Sequence, residues 1–226
     1  MIWQDEGYLL SKRKFRENAN IVNVFTNSFG KVSGIVYGGN SRKVRNYLQL
    51  SNKIFVFYNN KNENKIGYFK TELVKAISPK YFNDKTKTSA LLSLTSLLNV
   101  LLPESQSYKN IYLSLDNFIN QLNNNKWILF YINWEINLIR ELGFDVNLSQ
   151  FKIDNSTLNT VIEIEIDNIM YQVPKFIFNL DKDYENNKDL IKLGLSFTRK
   201  IMLNKFFVPN NLVFPRSRVL LENYYS

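Results

Sequence analysis

The chain has 226 residues, 45% hydrophobic and 22% charged, enough for one large globular domain or two small ones. It has no cysteine and no histidine, which excludes disulfides, thiolate nucleophiles, Cys- or His-ligated metals and Ser-His-Asp hydrolysis. The net charge of +9 is confined to the first third: residues 1–80 hold 14 Lys and Arg against 5 Asp and Glu, and residues 81–226 hold 15 of each.

The chain is rich in Asn, Lys and Ile, as an AT-rich genome would make it. Such drift spreads lysine evenly and depletes arginine, yet Arg13, Arg16, Arg42 and Arg45 all lie in the first 45 positions. A functional basic surface facing a polyanion explains this better. The start carries Asp5 and Glu6 where a signal peptide needs basic residues. The Leu-rich stretch 90–102 is interrupted by Ser93, Thr95, Ser96 and Asn99. A cytoplasmic protein with no membrane association is expected.

Short strands are predicted over 7–15, 20–27, 31–37, 53–58 and 65–76, where Val, Ile, Phe, Tyr and Thr concentrate. Turn residues separate them at Asn18 and over 27–30, 38–41 and 59–64. Five strands in this length fit a small Greek-key barrel of the OB type, and an SH3-like barrel fits the pattern almost as well. Phe55, Phe57 and Phe69 are assigned to its core.

Beyond Pro79 the period becomes helical. Ala90, Leu91, Leu94, Leu97, Leu98, Leu101 and Leu102 form one stripe, ended by Pro103; Ile111, Leu115, Phe118, Ile119 and Leu122 form a second. A third helix is predicted over 126–142, apolar almost all round and therefore central, with Gly143 just past its end. Strict alternation over 161–166 and a turn at Asp167-Asn168 predict a β-hairpin within 150–173. A polar stretch over 181–189 precedes a helix over 188–206, and a short helix follows Pro215. The fold class is thus α+β: residues 1–80 a barrel, residues 81–226 a mostly helical domain with a hairpin insertion.

Two basic clusters stand out. Lys12-Arg13-Lys14-Phe15-Arg16 straddles the end of the first strand, where alternation sends Lys12, Lys14 and Arg16 to one face and Arg13 and Phe15 to the other. Ser41-Arg42-Lys43-Val44-Arg45 occupies the loop between strands three and four. Long cations at a barrel rim form a groove that tracks phosphates. Trp3, Tyr8, Phe15, Tyr37 and Tyr47 lie near these segments and are candidates for stacking on bases, although a barrel this small also needs aromatics in its core. Glu163, Glu165 and Asp167 read as a solvated strand face. Asp181, Asp183 and Glu185 lack the glycine and terminal glutamate of a calcium loop. No phosphate-binding glycine motif occurs, so no cofactor or metal is expected and an enzyme is disfavoured.

Several motifs together resemble one family. Asp5-Glu6-Gly7, Val24-Phe25-Thr26 followed by Gly30-Lys31-Val32, and Gly38-Gly39 before a basic loop are similar to the N-terminal barrel of RecO proteins. Leu102-Pro103-Glu104, Tyr108 and Tyr112, Trp134-Glu135, Glu141-Leu142-Gly143-Phe144, Phe197-Thr198-Arg199 and Ser217-Arg218 resemble its helical domain. The ordered set, spanning essentially the whole chain, is specific where no single motif is. The resemblance implies a bacterial, nucleoid-associated, non-enzymatic recombination mediator with an OB-type barrel. It would bind single- and double-stranded DNA and anneal complementary strands. With RecR, and in some lineages RecF, it would help load RecA onto DNA coated by single-strand binding protein, SSB, by docking on the acidic SSB tail.

The residues expected on DNA are Lys12, Arg13, Lys14, Arg16, Lys31, Arg42, Lys43 and Arg45. Two departures from the family stand out. The Cys-rich zinc segment of many members is absent, and Ile132-Asn133 replaces a basic pair that helps hold the SSB tail. Lys126, Arg140 and Arg199 are the substitute candidates for partner binding. An RNA-binding accessory protein, or a carboxylate-dependent metal enzyme using the acids of 163–167 or 181–185, are the competing readings.

Overall fold

A computed structural model describes residues 1–61, 65–144, 146, 160–178 and 187–226. Contacts divide it into two compact units, Met1–Tyr112 with Pro215–Arg218 and Leu113–Phe214 with Val219–Ser226.

The first unit is built on five strands: β1 (Ile2–Arg16), β2 (Ala19–Thr26), β3 (Gly30–Tyr37), β4 (Lys53–Asn59) and β5 (Tyr68–Lys75). The hydrogen-bonded ladder runs β1-β2-β3-β5-β4 and closes on itself, because β4 also pairs with β1. One long strand serves both neighbours: Ile2 to Tyr8 pair with β4, and Gly7 to Arg16 with β2. Gly7 sits where the partners change, and a Cβ there would lie 2.6 Å from a Val24 methyl and 2.7 Å from the Phe25 carbonyl. Only glycine lets the backbones approach this closely.

Alternation fills the interior with Leu9, Val22, Val24, Val32, Val36, Ile54, Val56, Tyr58 and Phe69. It also turns Phe55 and Phe57 outward: both are half-buried while Ile54, Val56 and Tyr58 between and beside them are buried. Of the three phenylalanines assigned to the core, Phe69 alone lies there.

The connection between β3 and β4, expected as a loop, contains a short helix, α1 (Arg42–Tyr47). Ser41 caps it, its hydroxyl accepting from the Val44 N–H at 3.4 Å. Val44, Tyr47 and Leu48 recur at helical spacing and pack on the sheet's interior, which leaves Arg42, Lys43 and Arg45 at solvent.

Helix α2 (Lys85–Leu101) belongs to the same unit. Asp84 caps it, accepting from the N–H groups of Thr86 and Lys87. Ala90, Leu91, Leu94, Leu97 and Leu98 are its buried face, and it packs against β1.

The second unit centres on α4 (Trp127–Glu141), ten of whose fifteen residues are buried. It ends as predicted: Gly143 takes a φ of +96°, and Phe144 N–H reaches back to the Ile139 carbonyl at 3.2 Å. Helix α3 (Lys109–Gln121) brings Phe118 edge-on to Tyr131. The predicted hairpin is β6 (Val161–Ile166) with β7 (Ile169–Pro174). Its turn residues Asp167 and Asn168 have φ of 50° and 61°, the two positive values a tight primed turn demands. Helix α5 (Lys188–Met202) lies on α4 and β7, continues as a π-helical turn to Phe207, and is followed by α6 (Arg216–Asn223). A buried Thr198 hydroxyl on α5 donates to the Glu135 carboxylate on α4 at 2.5 Å.

Among the described residues no helix is long and apolar enough to cross a membrane, and no group of three or more acidic residues is placed to hold a metal. Glu163 accepts from Gln172, and Asp167 is ion-paired with Lys205. Asp181, Asp183 and Glu185 lie outside the described residues.

Candidate nucleic-acid interface

The two basic clusters are far apart in sequence, yet local hydrogen bonds hold them together. The segment after β3 is tied to the β1–β2 turn in three places. Gly38 N–H donates to the Asn18 carbonyl at 2.8 Å. The Asn40 side-chain amide donates to the Glu17 carbonyl at 2.7 Å, and the Asn20 amide donates to Asn40 Oδ1 at 3.1 Å. Helix α1 starts immediately afterwards, so its cations stand beside those at the end of β1.

A fourth link is Lys12. Its ammonium donates to the carbonyl of Leu48, the C-cap of α1, at 2.7 Å, where a cation suits the helix dipole. Burial, and then the nearby positive charge of Arg45, hold its pKa below the ordinary lysine value of 10.5. Arg45 lies one turn before Leu48 on α1, so the Lys12–Leu48 bond holds the cations of the helix against β1.

Arg13, Lys14, Arg16, Arg42, Lys43 and Arg45 are exposed, and Glu17 is the one carboxylate in these two segments. The expected alternation along β1 does not hold to its end. The register slips between Lys14, opposite Asn20, and Arg16, opposite Ala19, so Phe15 is bulged. Residues 13–16 then all reach solvent, and the Arg16 guanidinium lies 5.2 Å from the Phe15 ring centre.

Lys31 is a correction. It is buried, and its ammonium donates at 2.7 Å to the carbonyl of Asn99 in the last turn of α2. That carbonyl lacks an intrahelical donor, so Lys31 caps a helix and is not presented to a phosphate. Burial lowers its pKa, and Glu104 partly offsets this.

The aromatic candidates separate cleanly. Trp3 stacks on Phe29 at 4.1 Å and on Tyr58 at 4.8 Å. Tyr8 is buried beside Tyr112, and Tyr47 donates its hydroxyl to the Thr71 carbonyl. Phe15 and Tyr37 remain at the surface, 43% and 60% exposed.

The partner candidates do not form one patch. Lys126 precedes α4 and Arg140 lies in its last turn, so about 21 Å of helix separates them. Arg140 donates to Asn137 Oδ1 at 2.7 Å, and Arg199 on α5 is paired with Glu222 at 3.6 Å. Ile132 is buried.

The Asn20–Asn40 tie escaped sequence reasoning. Asparagine is so common in this chain that no single one carries a signal. The amphipathic spacing of Val44, Tyr47 and Leu48 after Ser41 is the one mark that betrays α1.

Residues 1–77 match the family model for the N-terminal part of recombination protein O, and residues 83–158 that for its C-terminal part. The DNA repair protein RecO of Roseobacter denitrificans is 33% identical over 66% of this chain and 62% of its own length. Those of Ehrlichia chaffeensis and of Wolbachia pipientis from Culex pipiens are each 26% identical. The first alignment covers 96% of both chains and the second 100% of both. A solved asparaginyl-tRNA synthetase of Entamoeba histolytica aligns with 95% of this chain and 59% of its own, but 9% identity and a TM-score of 0.31 carry no argument. With two consecutive family models matched and relatives aligned end to end, the chain belongs to the RecO family of recombination and DNA repair proteins.

Proposed function

We propose that this protein is a recombination mediator in RecF-type repair. Its N-terminal unit, an OB-type barrel, binds single- and double-stranded DNA and anneals complementary strands. Its helical unit recruits the SSB tail and RecR, with RecF in some lineages, so that RecA is loaded onto gapped DNA. The protein makes and breaks no bond; it lowers the charge repulsion between strands and brings proteins together on them.

The observation that carries this reading is the convergence of six exposed cations, Arg13, Lys14, Arg16, Arg42, Lys43 and Arg45, on one end of the N-terminal sheet. Contacts of this kind engage phosphates without reading bases, which suits a protein that acts at any gap. If all six engage phosphates, log K falls against log salt with a slope of about −4.2 on single strands and about −5.4 on duplex. Partner binding rests on family membership, and Arg140, exposed at the end of α4, is the strongest of its three candidates.

The test is annealing of two complementary strands, bare and SSB-coated, measured across a salt series with and without RecR. Steeply salt-dependent annealing that persists on SSB-coated strands is expected. A flat salt response, or complete inhibition by SSB in the presence of RecR, would overturn the reading.

A further inference from the structure

We propose that Phe15 and Tyr37 are base-stacking side chains, and that they make this rim prefer unpaired strands to duplex. The inference rests on the DNA-binding reading above and assigns to that surface the part of DNA it would read besides phosphate.

The five strands carry ten aromatic residues: Trp3, Tyr8, Phe15, Phe25, Tyr37, Phe55, Phe57, Tyr58, Tyr68 and Phe69. Eight are buried or half-buried, and Phe15 and Tyr37 alone are exposed. Exposed aromatics scattered singly over a surface need no explanation. These two are not scattered.

Ala19 is the register partner of Arg16 on one side and of Tyr37 on the other. The row Arg16, Ala19, Tyr37 therefore crosses three adjacent strands, and neighbouring strands lie about 4.8 Å apart, so Arg16 and Tyr37 flank one alanine at roughly 10 Å. Val36 is buried in the interior, so its neighbour Tyr37 points outward. The bulge that disturbs the register at Phe15 brings that ring to the same strand ends. Both aromatics thus stand within the cations proposed to hold phosphates.

Phe15 carries the Arg16 guanidinium near its face and still leaves 43% of itself at solvent. With the guanidinium over one face of the ring, a base stacks on the ring's other face or on the outer face of the guanidinium. The hydroxyl of Tyr37 is not needed for stacking, since any base presents a π-face to any ring. Phosphate contacts by themselves favour duplex, which has the higher charge density. A single strand can outcompete it here only through groups that duplex hides, and unpaired base faces are such groups.

Fluorescence anisotropy on the full chain tests this with three probes of equal length: an oligothymidylate strand, a mixed-sequence duplex, and an abasic strand of deoxyribose phosphates. The variants are Phe15→Ala, Tyr37→Ala, the double substitution, and the conservative Tyr37→Phe. Each stacked base is worth about 5- to 150-fold in affinity. The double variant is therefore expected to lose at least tenfold on the oligothymidylate strand. Its affinity for duplex and abasic strand and its salt slope should not change, and Tyr37→Phe should bind as wild type does. Wild-type protein should bind the abasic strand about as weakly as the double variant binds oligothymidylate. Both side chains are exposed, so unfolding is not a competing explanation, and an unchanged melting temperature checks that. Equal losses on all three probes, or no loss on oligothymidylate, would overturn the stacking assignment while leaving phosphate binding intact. Wild-type protein that binds none of the probes in a salt-dependent way would overturn both readings.

Discussion

Replacing Arg42, Lys43 and Arg45 with glutamine removes half of the six exposed cations at the rim and spares the fold. These side chains lie on the solvent face of α1, while Val44, Tyr47 and Leu48 hold the helix to the interior. Lys12, which caps α1 at Leu48, is left in place. Losing three phosphate contacts should flatten the slope of log K against log salt by about 2.1 on single strands and about 2.7 on duplex. Because this electrostatic contribution fades as salt approaches 1 M, the loss on single strands should be about 100-fold near 0.1 M and about 10-fold near 0.3 M. Anisotropy titrations at four or more salt concentrations give both quantities. The control is the same triple change at Lys188, Lys192 and Lys200, exposed on α5, which should leave slope and affinity as they are. A uniform loss with the slope preserved would mean that these cations do not meet phosphates, and the reasoning would fail at its central step.

Lys31→Met should leave the salt slope unchanged and lower stability by about 1–3 kcal/mol, because it strips the Asn99 carbonyl of a buried donor; a flattened slope with normal stability would refute the capping role. Asp84→Ala should cost about 0.5–2 kcal/mol near neutral pH, as loss of a helix N-cap does. Burial opposes the Asp84 carboxylate, but the Lys87 and Thr86 N–H groups, the Thr86 hydroxyl and the Lys87 charge together outweigh it and lower its pKa below 3.8. A carboxylate with a depressed folded-state pKa stabilises above its unfolded value and loses that contribution as pH falls through the folded one. The difference between wild type and Asp84→Ala in urea melts should therefore persist above about pH 4 and fade below it, and a difference that grows on acidification would contradict the assignment. Thr198→Val should cost about 1–3 kcal/mol by withdrawing a buried donor from the Glu135 carboxylate, with Thr198→Ser close to wild type. A shift in urea midpoint of the valine variant no larger than that of the serine variant would sink it.

The elements were legible where one physical rule acted alone. β-branched and aromatic enrichment between turn residues located all five strands, alternation located the hairpin, and the primed turn at Asp167-Asn168 and the C-terminal stop at Gly143 followed from backbone conformation. Reading failed where two rules competed. Phe55 and Phe57 are hydrophobic enough for a core, but pleating had already given that side of β4 to Ile54, Val56 and Tyr58. The basic loop of 41–45 hid a helix because only three apolar positions, Val44, Tyr47 and Leu48, mark its period, too few for the window in which periodicity becomes a signal. Lys31 was misplaced for a different reason: nothing local distinguishes a lysine that neutralises a phosphate from one that caps a helix 68 residues away.

The basic residues of the N-terminal unit meet two fates. Lys12 and Lys31 are drawn inward, each to a carbonyl at the end of a helix, a task for a compact point charge on a flexible stem. Arg13, Arg16, Arg42 and Arg45 stay at the surface with Lys14 and Lys43, and the planar fork of an arginine is suited to paired contacts with phosphate oxygens and resists deprotonation. Of the two inward-drawn lysines, Lys12 alone serves that surface, and indirectly. Lys12 anchors α1 to β1, and the asparagine amides of Asn20 and Asn40 anchor the segment before α1 to the β1–β2 turn. Without those anchors the two clusters would be separate patches of three cations, each engaging a strand with about half the salt slope of the joined surface. If the joined surface binds a strand as proposed, that strand contacts both clusters at once, and the second contact is made at the high effective concentration that tethering gives. On the proposed reading, the affinity of this rim for a polyanion depends on the uncharged amides of Asn20 and Asn40 as well as on the six cations they bring together.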